Sequence, residues 1–361
     1  MFSRNRLIYI GPMTEQVTSR DIAARAGVSQ ATVSRALRNS PLVRPETRER
    51  IHQIARELNY FVNRNAAGLR THQSNTLALL LFDELGGEQF EINPFFLAML
   101  GSITREASTR GYDVLVSFQQ LTDDWHLEYE MSNRADGIIL LGYGHYNTYR
   151  PKLDALAAAN TRFILWGPIV EDQPGHWLCC DNLEGGRLAT AHLLGLGRRN
   201  IAFVGHASAE ICPEHQLRLE GYRKAYEQAG MAADPELWIP CDSHECFGYE
   251  AAEELLKSGK NFDAVFAVTD AIALGVMKAL AANGVRIPED VAVVGFDDLP
   301  MADYVSPGLT TIRQDVNEAG RRLVQTLVNL IEDEPIESRQ IEPRLIVRES
   351  CGGDATPVEN R

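Results

Sequence analysis

Val17 to Leu37, VTSRDIAARAGVSQATVSRAL, constrains this chain most, because two short helical periods meet at Gly27 with room for only a tight turn between them. Thr18 stands where a first helix needs its N-cap, and Asp21 follows three residues later as in a capping box. Ile22, Ala23 and Ala26 then share the inward face. Gly27 ends that helix and Val28 closes the turn. Ser29 caps a second helix, in which Val33 and Leu37, four residues apart, lie on one buried stripe. Gln30, Ala31, Thr32, Ser34 and Arg35 are left over for other work. They suit a helix lying in the major groove: Gln pairs bidentately with adenine, Arg with guanine, and Ala or Thr touches a thymine methyl. The spacing predicts a helix-turn-helix that reads DNA, against the plainer reading of a helical hairpin inside a globular domain.

After a loop with Asn39, Ser40 and Pro41, a third helix starts at Pro45. It carries Ile51, Ile54, Ala55 and Leu58 on one side and ends at Asn59-Tyr60. The segments AGVSQATVSRAL, VRPETRERI, ELNY and NRNAAGLR closely resemble the lactose-repressor (LacI/GalR) family of bacterial transcription factors, and the resemblance runs from Val17 to about Arg348. It implies that Thr18, Ser29, Gln30, Ala31, Thr32, Ser34 and Arg35 face DNA. It also implies a hinge, Asn63 to Arg70, that is helical only on operator DNA, with Asn63, Ala66, Leu69 and Arg70 as contacts. Leu69 matches the family's leucine that wedges into the minor groove, where an apolar side chain unstacks a base step and kinks the duplex. Two residues depart from the pattern. Arg44 replaces a small polar cap before the third helix, and Gly68 lowers hinge helix propensity by about 1 kcal/mol against Ala, which fits a segment that folds on binding.

At 361 residues the chain suits a small domain plus a large one. Residues 1–72 hold twelve Arg, no Lys and five acids, a balance of +7, so the net charge of −14 leaves −21 on the remainder. Only the N-terminal part attracts phosphate, and the acidic remainder repels DNA and favours solubility. The expected division is an extension at 1–13, a reader at 14–60, a hinge at 61–73, and an effector-binding and dimerisation domain at 74–361. The extension MFSRNRLIYIGP has an apolar run of only Leu7 to Ile10, too short for a signal peptide core or a membrane span. The six Cys, without repeated CxxC spacing, read as reduced thiols of a cytoplasmic protein. Cys241, His244 and Cys246 could be soft metal ligands, but three loop residues beside a pocket is the stronger reading. No metal or cofactor is expected. The Cys179-Cys180 pair reads as packing in an apolar strand.

From Thr76 onward short apolar runs alternate with amphipathic helices, the pattern of parallel sheets covered on both faces. Strands are expected at Leu77–Phe82, Asp113–Ser117, Gly137–Leu141, Arg162–Trp166, Ile201–Gly205, Ala264–Val268 and Val291–Phe296. The family resemblance turns this alternation into an α/β core like the periplasmic sugar-binding proteins: two doubly wound parallel-sheet lobes behind an all-α head. Lobe one would hold about 74–180 and 314–340, lobe two about 181–313 and 341–350, with the chain crossing near Cys180 and Arg313.

A ligand in such a fold lies between the lobes, outside the carboxyl ends of the strands. The resemblance places effector contacts at Phe95 and Phe96, after a long loop from Asp83 to Asn93, although both rings could equally be core. Trp166 ends a strand at another contact position, replacing the usual polar residue with a flat surface for a sugar ring. Arg218, in RLEGY, matches a cleft arginine and is expected to open a helix; its rigid fork suits paired hydroxyls or a carboxylate. Asp297, in VVGFDDLP, follows a strand directly and accepts two hydroxyl protons. Asp270, in VTDAIALG, reads as a helix cap. Gln314 lies at a crossing and either contacts ligand or holds register.

The chain has no G-x-S-x-G, H-E-x-x-H or P-loop; Gly142-Tyr143-Gly144 is too weak for a dinucleotide fingerprint, and the adjacent acids Asp123-Asp124 and Asp297-Asp298 do not define a glycosidase pair. The expectation is a non-enzymatic, homodimeric repressor of operator DNA under control of a small carbohydrate, a glucoside or oligosaccharide being favoured. The alternatives are the same architecture sensing a purine or other metabolite, or a cytosolic sugar-binding or sugar-processing protein.

Overall fold

The computed structural model of the chain describes residues 17–60, 73–82, 92–119, 129, 132–142, 146–167, 170, 172–336 and 340–354. These fall into two compact units that divide between His72 and Gln73.

In the N-terminal unit α1 (Ser19–Ala26), α2 (Gln30–Leu37) and α3 (Pro45–Glu57) close around Ile22, Val33, Ala36 and Ile51. The turn chemistry is local. The Thr18 backbone N–H and hydroxyl each donate to the Asp21 carboxylate at 2.8 Å, holding that carboxyl below its usual range. Gly27 takes φ +63°, where a β-carbon would be strained. Ser29 Oγ accepts the Thr32 N–H at 3.2 Å. Arg44 gives α3 no side-chain cap; Pro45 at the first helical position supplies a preset φ instead.

The second unit has two sheets. The first, in order β2-β1-β3-β4-β5, is wholly parallel: β1 (Thr76–Phe82), β2 (Asp113–Gln119), β3 (Gly137–Leu141), β4 (Phe163–Trp166) and β5 (His176–Leu178). Alternation along β1 sorts its side chains. Leu77, Leu79 and Leu81 pack with Met99 and Ile103 of α4 (Pro94–Thr109) and with Leu323 and Leu327 of a late helix, Val316–Ile331. Ala78, Leu80 and Phe82 pack with Tyr149 and Leu153 of α5 (Tyr146–Ala158). Both faces are covered, which is why the strand reads as a continuous apolar run.

The second sheet runs β11-β10-β9-β8-β6-β7. It comprises β6 (Ile201–Val204), β7 (Trp238–Ile239), β8 (Ala264–Ala267), β9 (Ala292–Asp297), β10 (Thr310–Arg313) and β11 (Arg344–Ile346). Its helices are α6 (Asn182–Gly195), α7 (Pro213–Gln228), α8 (Glu245–Ser258), α9 (Asp270–Ala282) and the short α10 (Met301–Tyr304); the Val316–Ile331 helix is α11. Every pairing in this sheet is parallel, as expected of the lobe, except at its edge, where β11 pairs antiparallel with β10. Strands β5, β7, β10 and β11 have two to four residues each and were not among those expected.

Three connections join the lobes. Beside the segments after β5 and after β10, a third runs through Ile341, which bridges Cys180 in parallel; the Ile341 N–H donates to the Cys179 carbonyl at 2.9 Å and the Asp181 N–H to the Ile341 carbonyl at 3.0 Å. The cysteine pair thus follows β5 and belongs to this crossing, a correction to its placement inside a strand. Close helix crossing shapes lobe two. A β-carbon at Gly186 of α6 would lie 2.1 Å from the Arg218 carbonyl oxygen, and one at Gly221 of α7 would lie 2.0 Å from the Leu183 carbonyl oxygen, so the two helices meet backbone to backbone.

Candidate functional site

On the N-terminal unit, helix α2 presents one face that the core does not use. Ser29, Gln30, Ala31 and Arg35 are exposed there, Thr32 and Ser34 are half-buried, and Thr18 is exposed at the start of α1. Gln30 Nε2 donates to Ser19 Oγ at 2.8 Å, and the Ser29 and Thr32 hydroxyls lie 2.9 Å apart. A base edge reached by Gln30 would replace that Ser19 bond. The hinge residues Asn63, Ala66, Leu69 and Arg70 lie outside the described residues.

Between the two lobes of the second unit lies a cavity of about 910 Å³ including its open mouth, and all six candidate residues line it: Phe95, Phe96, Trp166, Arg218, Asp297 and Gln314. The lobe-one wall is aromatic. Asn93 caps α4 by accepting the Phe95 N–H at 3.0 Å, which sets the two Phe side chains at the helix entrance. Phe95 lies edge-on to Phe96, ring centroids 5.7 Å apart, and 5.8 Å from Trp166 at the end of β4. Phe95 is both core and wall, being nearly buried among Met99 and Trp166, whereas Phe96 is half-buried.

The lobe-two wall is polar and buried. Asp297 ends β9 at φ +121° and Asp298 follows at φ +55°, consecutive non-glycine residues in a costly region. Their side chains hold them there. Gln314 Nε2 donates to Asp297 Oδ1 at 2.6 Å, and Asp298 receives Arg313 Nε at 2.6 Å and an Arg348 N–H at 2.7 Å. Burial raises the Asp297 pKa to about 7; Arg218, Gln314 and the Asp270 N–H oppose the rise.

Arg218 is buried, with its guanidinium carbon 3.6 Å from the Phe296 ring centroid; Nε donates to Asn182 Oδ1 at 2.8 Å and an Nη donates to the Val268 carbonyl. Its position corrects the sequence expectation: α7 begins at Pro213, so Arg218 lies in the second turn and does not open the helix. Asp270 is corrected too. The cap of α9 is Thr269, whose hydroxyl accepts the Ile272 N–H at 3.2 Å. Asp270 is fully buried, accepting from Leu299 N–H at 2.7 Å and Thr311 Oγ1 at 2.5 Å, and burial, then the Asp297 charge, pushes its carboxyl well up.

Other lining residues were not singled out from sequence. Asn182 begins α6; His206 follows β6; Asp242 and Ser243 follow β7; His215 lies on α7. The strand-end rule that picked out Asp297 reaches His206 and Asp242 as well, but β7 is two residues long and gave no apolar run to follow. Among the described residues no group of His, Cys, Asp or Glu is placed to hold a metal ion, and Cys246 is exposed while Cys241 is partly buried. No described helix is long and apolar enough to cross a membrane.

Residues 18–63 match the model of bacterial regulatory proteins of the lacI family, and residues 190–351 match a periplasmic binding protein-like domain. The HTH-type transcriptional regulator CelR of Thermobifida fusca is 34% identical over 335 residues, 91% of this chain and 96% of that protein. Among solved structures, a transcriptional regulator CelR–cellobiose complex matches with TM-score 0.68 and 32% identity, over 92% of this chain and 99% of the other. The lac repressor dimer bound to operator and the anti-inducer ONPF matches with TM-score 0.79 and 25% identity, over 93% and 99%.

Proposed function

Because the chain belongs to the lacI family of bacterial regulatory proteins, and so is a DNA-binding transcriptional regulator, we propose that it is a cytoplasmic, homodimeric repressor whose operator affinity is set by a small carbohydrate held between the core lobes. The observation that carries this reading is the cleft itself: an aromatic wall of Phe95, Phe96 and Trp166 beside the Asp297, Arg218 and Gln314 network. Aromatic faces take the C–H side of a sugar ring. A carboxylate and a guanidinium, held by neighbours before ligand arrives, take its hydroxyls. The CelR relative was solved with cellobiose, which supports a glucoside or oligosaccharide as effector.

Two helices of the α2 type, related by a two-fold axis, would read a near-palindromic operator, since one such helix reads too few bases for genomic specificity. Ser29, Gln30, Ala31, Thr32, Ser34 and Arg35 supply the base and backbone contacts, with Thr18 at the flanking helix. Asn63, Ala66, Leu69 and Arg70 supply the minor-groove part. The cleft binds its sugar without converting it.

The test is a gel-shift assay of the full chain on the intergenic DNA beside its own gene, with and without candidate sugars. A sugar-dependent change of 5- to 150-fold corresponds to a coupling of about 1–3 kcal/mol, and linkage requires operator DNA to alter sugar affinity by the same factor. DNA binding that no sugar alters would refute carbohydrate control. Sugar binding without DNA binding would place the chain among plain receptors.

A further inference from the structure

The polar wall of the cleft continues well past Asp297. In the second sheet the neighbours run β9-β8-β6-β7, and the residues leaving the carboxyl ends of β9, β6 and β7 are Asp297, His206 and Asp242. Three strand spacings separate β9 from β7, about 14 Å. That is wider than one pyranose ring. The far end is a built constellation: His206 Nε2 donates to Asp242 Oδ1 at 2.6 Å, the His206 and His215 rings stack at 6.2 Å and 16°, and Ser243 Oγ lies 3.4 Å from His215 Nε2.

His215 has an unmet valence. It is 4% exposed, lines the cavity, and its Nδ1 finds no hydrogen-bond partner among the described residues. A buried polar atom left so is costly, and a ligand hydroxyl would satisfy it. Burial, with Arg218 and His206 adding to it, keeps this imidazole neutral. A neutral ring suits a hydroxyl better than it suits an anion. Asp242 Oδ2 makes no further bond among the described residues and can accept a second hydroxyl.

Resting on the carbohydrate reading above, we propose that His206, His215, Asp242 and Ser243 form a second sugar subsite, so that the effector is a disaccharide or longer. One ring lies between the aromatic wall and Asp297, and the next ring's hydroxyls meet Asp242 and the histidines. Neither the family match nor the reading of Asp297 and Arg218 requires this second group.

The experiment is calorimetric titration of the full chain with a panel of common disaccharides, among them cellobiose, gentiobiose, maltose and lactose, each paired with its component monosaccharides and methyl glycosides. It is repeated on Asp242→Asn and His206→Phe, both partly exposed positions, after thermal unfolding shows each variant folded. The expected result is one disaccharide bound at least about tenfold more tightly than either component. Both variants should then lose that increment while monosaccharide affinity stays within about threefold. If a monosaccharide binds as tightly as any disaccharide, or if the variants leave disaccharide affinity unchanged, the second subsite is wrong and the carbohydrate reading survives. Loss of mono- and disaccharide affinity alike in both variants also overturns it, because the group would then serve the first ring. If nothing in the panel binds the wild type, the carbohydrate reading falls and takes the subsite with it.

Discussion

Substituting Gly186 with Ala tests whether the α6–α7 crossing positions the cleft arginine. The added β-carbon would lie 2.1 Å from the Arg218 carbonyl oxygen and 2.8 Å from its carbonyl carbon and α-carbon. A relaxed carbon-to-oxygen contact is about 3.3 Å, so the helices must part by about 1.2 Å. The obstacle is backbone, which cannot rotate aside as a side chain would. Overpacking of this kind costs about 1–3 kcal/mol, and the upper end applies here. For a unit of this size, about 3 kcal/mol lowers Tm by roughly 5 °C.

Gly195→Ala, in the last turn of the same helix, is the matched control, because a β-carbon there meets nothing within 4 Å. Both substitutions reduce the freedom of the unfolded chain equally, about 0.4–1 kcal/mol, so the difference between them isolates the clash. Differential scanning calorimetry should show Gly186→Ala well below wild type and Gly195→Ala at or slightly above it. Effector affinity should fall in Gly186→Ala alone, since moving α7 disturbs the 2.8 Å bond from Arg218 Nε to Asn182. Equal melting temperatures for the two variants would refute the close crossing.

Arg35→Ala, at an exposed position on α2, should weaken operator binding by about 1–3 kcal/mol and relax preference at one base pair, as loss of a base-edge contact does; an equal loss on random DNA, measured by anisotropy, would make Arg35 a phosphate contact instead. Asp297→Asn should change how core stability depends on pH. With its folded pKa raised from 3.8 to about 7, the folded state binds more protons than the unfolded state between those values. Stability therefore falls as pH rises through that window and is flat on either side. The window spans about 4 kcal/mol in order of magnitude. Asn keeps an oxygen for Gln314 and removes the charge, so urea unfolding should show the variant gaining on wild type by that order between pH 4 and pH 8. A constant difference across the range would show that Asp297 is not the group held up.

The parts of this chain that could be read from residues alone are those in which the physics is local. Gly27, Ser29 and the Thr18–Asp21 pair act within one helical turn, so their chemistry is visible in a window of a few residues. Central strands such as Leu77–Phe82 announce themselves because both faces are buried. Strands β5, β7, β10 and β11 do not. With two to four residues each, they take their extended form from a neighbour's hydrogen bonds and not from their own apolar period.

The same distinction separates the cleft residues. Asp297 closes an apolar strand as its last residue, and a polar residue at that point lies at the carboxyl edge of a sheet. Thr269 and Asp270 look alike in sequence, two polar residues before a helix, and only the fold tells them apart. Thr269 caps, while Asp270 turns under β9 and β10 to bind Thr311 and the Leu299 N–H. Burial lifts the Asp297 carboxyl to about 7 against the pull of Arg218, Gln314 and the Asp270 N–H, and its charge in turn helps push the buried Asp270 carboxyl up. The electrostatic character of the strongest candidate ligand group is therefore set by residues 27 to 79 positions away in the chain, Asp270 and Arg218. Gln314, 17 residues on, completes the arrangement from the crossing strand. Only β9, β10 and α7, meeting at one end of a sheet, bring those groups together, and a pocket built from residues so far apart in sequence is legible one strand end at a time.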